Sequence, residues 1–438
     1  MTGRAGRVPT ARLVVLLAVT ALAILAAGAL WSPTVASPVA IALLAAALAA
    51  AGVDAWGAPR AKDLLFSRAI GGPLRFGRPV AVRLRLAWRP TGAGRVRGAT
   101  TVFWTDGAPA EAVTRQPSGW LRLAAGAPPV CADYQVRPRR RGPVHWSGPL
   151  VAAPSPVGLW RTVVRADGIT TRTVYPGAAS AASDPGDRLA GRALGTGDAG
   201  LEFDGVRPYL DGEDARRIHW RASARRDQPV VRLLRPERGR RLLLAVDAGR
   251  WSAQALDTSG ITRLDAFTAA ALEVAAAALA AGDAVGLALL TSPGPVHPLA
   301  PRPGAAALRP LATALAFAAA GDGDPDAVAS IAAVARAGAD VVLWFTELPS
   351  PVDAAQWLRR LPALARRLPV VVVSVRPTQP PRPSAALAEA AAELAAARSQ
   401  ALARLRRAGV PVWDGPPERC GALALGAYHR WQGRGFVR

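Results

Sequence analysis

The chain has 438 residues and a formal net charge of +23, carried almost wholly by arginine, because Lys62 is its only lysine. That lysine sits in "APRAKDLL", which excludes a Gly-x-x-x-x-Gly-Lys-Ser/Thr phosphate loop. The two cysteines, Cys131 and Cys420, are far apart and exclude both a zinc spacing and a disulfide framework.

In chain order, Leu13 to Trp31 is uncharged and long enough to cross a hydrocarbon core of about 30 Å. A "SPTVAS" link leads to a second uncharged run around Pro38 to Val53. Two transmembrane helices are expected, at about 13–31 and 36–55, with Trp31 and Trp56 as interfacial anchors. Arg4, Arg7 and Arg12 precede the first run and Arg60, Lys62 and Arg68 follow the second, while the link carries no positive charge. The positive-inside rule then puts both ends, and the body, in the cytoplasm. The competing reading is a signal peptide followed by one anchor, which would export the body. A basic protein also suits an anionic leaflet. No nucleic-acid partner is expected, because no aromatic stacking pattern accompanies the arginines.

"PVAVRLRLAW" then alternates apolar Val80, Val82, Leu84, Leu86 and Trp88 with polar Arg83 and Arg85, the period of a half-buried strand. Further short runs broken by Gly and Pro predict a β-sandwich over residues 71–176. Arg137, Arg139, Arg140 and Arg141 cluster there, either as a solvated strand end or as a contact for an anionic partner. Residues 177–238 read as a linker followed by a charged segment. In that segment Asp211, Glu213 and Asp214 lie where they complement the dipole of a helix expected over Ala215–Arg225. Arginine forks onto carboxylates through paired hydrogen bonds, so the stretch is either an internal brace or a docking surface. "PVVRLL" follows as a strand, and the lone His219 has no nucleophile beside it.

The residues of this stretch are Arg207-Pro208-Tyr209, Gly212-Glu213-Asp214, Arg217-Ile218-His219-Trp220 and Arg221-Ala222-Ser223-Ala224-Arg225. They resemble the signature of the bacterial domain of unknown function fifty-eight (DUF-58) family, which typically has acids where Pro208 and His219 stand. Upstream, "RPRRRGPVHWSGPLVAAPSPVGLW" resembles the family's Arg-Arg-Gly strand and Asp-Pro-Phe-Gly-Leu turn, with the Asp and Phe missing. The resemblance implies partnership with a MoxR-type AAA+ ATPase. It assigns Arg207, Tyr209, Gly212, Asp214, Arg217, Trp220, Arg221 and Arg225 to an interdomain brace or partner surface.

From residue 239 onward, fully apolar runs alternate with helical segments: "RRLLLAVDAG", "DAVGLALLT", "DVVLWFTE", "PVVVVSV" and "VPVWD" as strands. Such a pattern predicts a parallel sheet covered on both faces, with ligands beyond the strands' carboxyl ends, where Asp247 and Glu347 lie. The arrangement looks like a von Willebrand factor A domain, as the family resemblance also implies. In the metal-binding version the first-strand aspartate is followed by serines two and four residues on, which supply hydroxyls to a six-oxygen shell. Here those positions are Gly249 and Trp251, Ser252 falls one place late, and "RPGAAALRP" offers no threonine. Asp247 and Glu347, with Thr346 beside it, therefore read as a degenerate metal site, and no metal or other cofactor is expected.

The expected fold class is α/β. It comprises a transmembrane helical hairpin, a β-sandwich, and a von Willebrand A-like, Rossmann-like sheet with helices on both faces over residues 239–438. The expected function is a non-enzymatic, membrane-anchored scaffold. The alternatives are a metal-dependent ligand binder using Asp247 and Glu347, and a hydrolase with an unrecognised site. His145, His219, His297 and His429 are scattered, and no His-Glu-x-x-His or Gly-x-Ser-x-Gly occurs.

Overall fold

Runs of period two and runs of continuous apolar residues give rise to two different kinds of sheet. The computed structural model describes residues 4–60, 63–88, 98–165, 169–177, 201–209, 218–225, 228–236, 239–256, 260–292, 298–323, 326–335, 338–347, 351–376 and 385–433. The chain divides into two units, Met1–Tyr175 and Pro176–Arg438.

In the first unit, strand β1 (Arg4–Pro9) leads directly into helix α1 (Ala11–Leu30), and α2 (Pro33–Gly57) returns against it. Both helices are long and apolar enough to cross a membrane, with mean hydropathies of 2.8 and 2.1. Most of their apolar side chains, such as Leu22, Leu25 and Ile41, point away from the protein. The strands that follow are β2 (Leu64–Ile70), β3 (Leu74–Arg75), β4 (Val80–Trp88), β5 (Ala99–Gly107), β6 (Ala112–Arg115) and β7 (Ser118–Ala124). They continue with β8 (Val130–Pro138), β9 (Gly142–Pro154), β10 (Trp160–Arg165) and β11 (Thr170–Tyr175).

One sheet runs β2-β4-β8-β6, and the other β1-β10-β9-β11-β3 with β5 on β9 and β7 on β5. In β4, Val82, Leu84 and Leu86 are buried while Ala81, Arg83 and Arg85 are exposed. The inward residues meet Val102, Trp104, Trp146 and Val151 of the other sheet in a single core. Two strands lie outside the expected span of 71–176: β2 and, ahead of the hairpin, β1. The latter pairs antiparallel with β10 from Arg4 opposite Arg165 to Pro9 opposite Trp160. As an edge strand it tolerates Pro9, which has no N–H to donate.

In the second unit, β12 (Leu201–Pro208) and β13 (Val230–Pro236) form an antiparallel ribbon. Of the helix expected over Ala215–Arg225, residues 215–217 lie outside the described residues, and among the described ones only α3 (Trp220–Ser223) is helical. The reason is backbone competition. Ile218 bridges Val231, and the His219 N–H donates to the Val230 carbonyl at 2.8 Å, so these residues extend the ribbon instead of opening a helix.

The larger sheet contains β14 (Arg241–Asp247), β15 (Ala284–Leu290), β16 (Leu299–Arg302), β17 (Val341–Phe345), β18 (Val370–Val375) and β19 (Val412–Gly415), in the order β16-β15-β14-β17-β18-β19. Every pairing is parallel except that of β16 with β15, so the expected all-parallel sheet carries an antiparallel edge. The helices are α4 (Arg263–Ala280), α5 (Leu308–Phe317), α6 (Ala327–Ala335), α7 (Pro351–Ala365), α8 (Ala385–Arg407) and α9 (Cys420–Gly433). Leu242, Leu244 and Val246 of β14 pack with Phe267, Leu311, Leu315 and Tyr428 from α4, α5 and α9. The alternate residues Leu243 and Ala245 pack with Ile331, Leu361 and Leu405 from α6, α7 and α8. One strand thus feeds two cores, which is why its sequence is apolar throughout.

Candidate functional site

Parallel strands bring their carboxyl ends to one edge of a sheet. At that edge β14 ends in Asp247, and β17 is followed by Thr346 and Glu347. Asp247 accepts from the Gly249 N–H and from the Thr346 hydroxyl, each at 2.9 Å. Glu347 is ion-paired with Arg263, the first residue of α4, whose side chain is only 2% exposed. The same guanidinium donates to the Trp251 carbonyl at 3.1 Å and to Gln254 Oε1 at 2.8 Å. Thr262 caps α4 in a reciprocal capping box with Asp265, which fixes the residue that precedes Arg263.

A second cluster adjoins on β18 and β19. Arg398 of α8 donates to Asp414 Oδ1 at 2.7 Å, to the Ser374 hydroxyl at 2.8 Å and to the Val375 carbonyl at 3.3 Å. Arg376 stands 3.4 Å from the other Asp414 oxygen. Burial lowers the pKa of the Arg263 guanidinium, and the attraction of Glu347 opposes it. Burial raises the Glu347 carboxyl, and Arg263 and Arg398 pull it back.

These side chains do not fit a divalent cation. The positions two and four after Asp247 are Gly249 and Trp251, and the buried Ser252 hydroxyl donates to the Gly249 carbonyl at 2.7 Å. Among the described residues no group of three or more His, Cys, Asp and Glu side chains is placed to hold a metal. Arg263 and Arg398 were missed by sequence reasoning. Their carboxylate partners, Glu347 and Asp414, come from other elements, and only the sheet brings them together.

Of the signature residues, Gly212, Asp214 and Arg217 lie outside the described residues, as do Asp211 and Glu213. Arg207 lies on β12 with Val231 as its Cα partner, and the Tyr209 N–H donates to the Pro229 carbonyl at 2.9 Å. Trp220, Arg221 and Arg225 come from α3 and the turn after it. This helix is stitched to β13: Ser223 Oγ accepts from the Val230 N–H at 2.9 Å and donates to the His219 carbonyl at 3.1 Å. His219 Nδ1 accepts from the Ala222 N–H at 3.2 Å, so the histidine caps the helix. Trp220 is left 70% exposed, beside exposed Arg221 and Arg225.

A third cluster lies at the foot of the helical hairpin, signalled beforehand only by one carboxylate ending an apolar run. Asp54, buried near the end of α2, accepts from Ser155 Oγ at 2.5 Å, the Val157 N–H at 2.8 Å and the Leu159 N–H at 2.9 Å. Trp160 Nε1 donates to the Ala51 carbonyl at 2.9 Å. From the other helix, Thr10 Oγ1 donates to the Gly158 carbonyl at 2.6 Å and Arg12 to the Val157 carbonyl at 3.1 Å. In the basic cluster, Arg137 donates to the Gly77 carbonyl at 2.7 Å, which ties a strand end to a turn.

A family model described as "Protein of unknown function DUF58" matches residues 205–385. No curated protein matches. Among solved structures, a mutant of the PilB minor pilin from Streptococcus sanguinis aligns over 77% of this chain and 88% of that chain. Its identity is 8% and its TM-score 0.33, too shallow a likeness to carry an argument.

Proposed function

We propose, on the premise that this chain belongs to the DUF58 family through residues 205–385, that it is a membrane-anchored, non-enzymatic adaptor that docks a partner protein. By family resemblance the partner is a MoxR-type AAA+ ATPase, engaged in chaperone-like assembly or envelope maintenance. The observation that carries this reading is Trp220. A tryptophan 70% exposed on a helix hydrogen-bonded to a strand is a large apolar group held rigidly outward, and exposed Arg221 and Arg225 flank it. Tryptophan and arginine are the side chains that most often dominate protein–protein binding energy. A rigid display also lowers the ordering entropy lost on docking.

The hairpin foot supports the anchoring part of the proposal. Residues on both flanks of α1 and α2 belong to the same sandwich, since β1 precedes α1 and β2 follows α2. A first helix whose upstream residues pair with β10 is poorly suited to be a removable leader. That pairing supports the reading of two retained spans with both ends on one side. The flanking arginines, Arg7, Arg12 and Arg60, support a cytoplasmic assignment for that side by the positive-inside rule.

The test is co-purification of the ATPase from native membranes, with and without ATP, using the full chain and Trp220→Ala. The wild type should retain the ATPase, and Trp220→Ala should lower the recovered partner about tenfold or more, as for a hot-spot aromatic. Failure of the wild-type chain to retain the ATPase in either nucleotide condition would sink the proposal.

A further inference from the structure

We infer that the Arg263 guanidinium is a built-in cation standing where a divalent ion would otherwise bridge Asp247 and Glu347, so that this edge of the sheet is closed without metal. Three observations converge on it. The first is the ligand set. Around this one group lie a carboxylate oxygen of Glu347, the amide oxygen of Gln254 and the backbone carbonyl of Trp251. Those are the oxygen types a hard cation recruits, and here all three surround Nη1 of the guanidinium, which donates to the Gln254 and Trp251 oxygens and ion-pairs with Glu347. The second is placement. Arg263 opens α4, its position is fixed by the capping box of Thr262 and Asp265, and it lies within electrostatic reach of Asp247.

The third observation is charge. Asp247, Glu347 and Asp414 are met at this edge by Arg263, Arg376 and Arg398, so carboxylates and guanidinia balance. A dication added beside a guanidinium 2% exposed would meet like charge with little solvent to screen it. The two hydroxyls at this edge are oriented by protein partners. The Thr346 hydroxyl donates to Asp247, and the Ser252 hydroxyl donates to the Gly249 carbonyl. The inference is independent of the partner assigned above, and failure of the ATPase to co-purify leaves it standing.

The experiment is calorimetric titration of the detergent-solubilised full chain with Mn²⁺, with thermal unfolding in Mn²⁺ and in EDTA. The wild type should bind no Mn²⁺ at millimolar concentration, and its unfolding midpoint should be the same in both conditions. Mn²⁺ binding that Asp247→Ala abolishes would overturn the inference, and this arm needs no variant at Arg263. Arg263→Ala should lower the midpoint. Methylguanidinium should restore it, and sodium at equal ionic strength should not, because the cavity fits the lost fork. An Arg263→Ala chain as stable as the wild type would equally overturn it.

Discussion

Asp106 in the sandwich illustrates how much a single buried carboxylate can organise. Its side chain is fully enclosed and accepts a forked pair of hydrogen bonds from Arg68, one from the Tyr134 hydroxyl at 2.5 Å and one from the Gly107 N–H at 3.0 Å. Arg68 also donates to the Ser147 carbonyl at 2.7 Å, so the group ties the two sheets together. Removing one member of a buried ion pair leaves the other charge uncompensated, at a typical cost of about 3–5 kcal/mol. Asp106→Ala should therefore lower the denaturant midpoint of the sandwich sharply, and an unchanged midpoint would refute this account. Nothing in the sequence marks the pair, because 38 residues separate its members and only strand pairing aligns them. The cysteines were easier to read: both are free, Cys131 exposed and Cys420 buried. Burial pushes the Cys420 thiol up to about 12, from an ordinary value of 9.0. The native state therefore keeps a proton that the unfolded chain releases first, so the thiol's contribution is present below pH 9 and is lost as pH rises towards 12. Burial also raises the Tyr134 and Tyr428 phenols, as do their bonds to Asp106 and Asp283, and they act in the same direction. Stability should decline on alkaline titration above about pH 9. At neutral pH a maleimide should modify one cysteine of the native chain and two of the unfolded chain, read by mass spectrometry.

Among elements, the hairpin shows how a pair of long apolar helices is joined to the sandwich. Both helices grip the same five-residue turn, Ser155–Leu159, with Asp54 on one side and Thr10 and Arg12 on the other, and Ala51 accepts from Trp160 just after it. Asp54→Ala would strand the Val157 and Leu159 N–H groups and the Ser155 hydroxyl together, and each buried orphan costs about 1–3 kcal/mol. The variant should be cut faster by protease at this turn in detergent, and an unaltered cleavage rate would show that the lock is dispensable. The turn is also where the chain departs from the DUF-58 pattern by lacking an aspartate. In the fold, the carboxylate that receives the turn's N–H groups comes from α2 instead. Elements with a strong period were readable from sequence. Strand β4 buries the alternation it displays, and strands β17 and β18 of the large sheet bury every residue. The two apolar runs became helices Ala11–Leu30 and Pro33–Gly57, the second starting a few residues earlier than its uncharged core suggested. Elements fixed by tertiary pairing were not readable. "RAGRVP" has no apolar alternation and is a strand because β10 supplies its ladder. The helix expected over Ala215–Arg225 yields to the ribbon at Ile218 and His219. Asp247 and Glu347 were legible as strand-end carboxylates, whereas Arg263 was not, since an arginine at a helix start carries no sequence signal of burial.

At the scale of the whole molecule, the proposal stands on which side of the bilayer the body occupies, and the chain carries its own reporter. Cys131 lies exposed on β8 of the sandwich, while Cys420 is buried and slow to react. The link between the helices, at Trp31 and Ser32, is the point farthest along the chain from either foot of the hairpin. If both spans are retained and both feet lie in the cytoplasm, Ser32→Cys faces the opposite compartment from Cys131. A membrane-impermeant maleimide added to intact spheroplasts should then label the introduced cysteine and spare Cys131. After permeabilisation it should label both. Under a signal peptide with a single anchor, the sandwich would be exported and Cys131 would react in intact spheroplasts. That outcome would remove the ATPase as a partner as well, because such a partner works where ATP is. The choice between the two turns on β1. That strand sits ahead of the first apolar helix and pairs with β10, and β2, after the second, pairs with β4, so both flanks of the helical hairpin lie in one folded unit. If both helices span, an even number of crossings keeps β1 and β2 on one side of the bilayer, as their place in one folded unit requires.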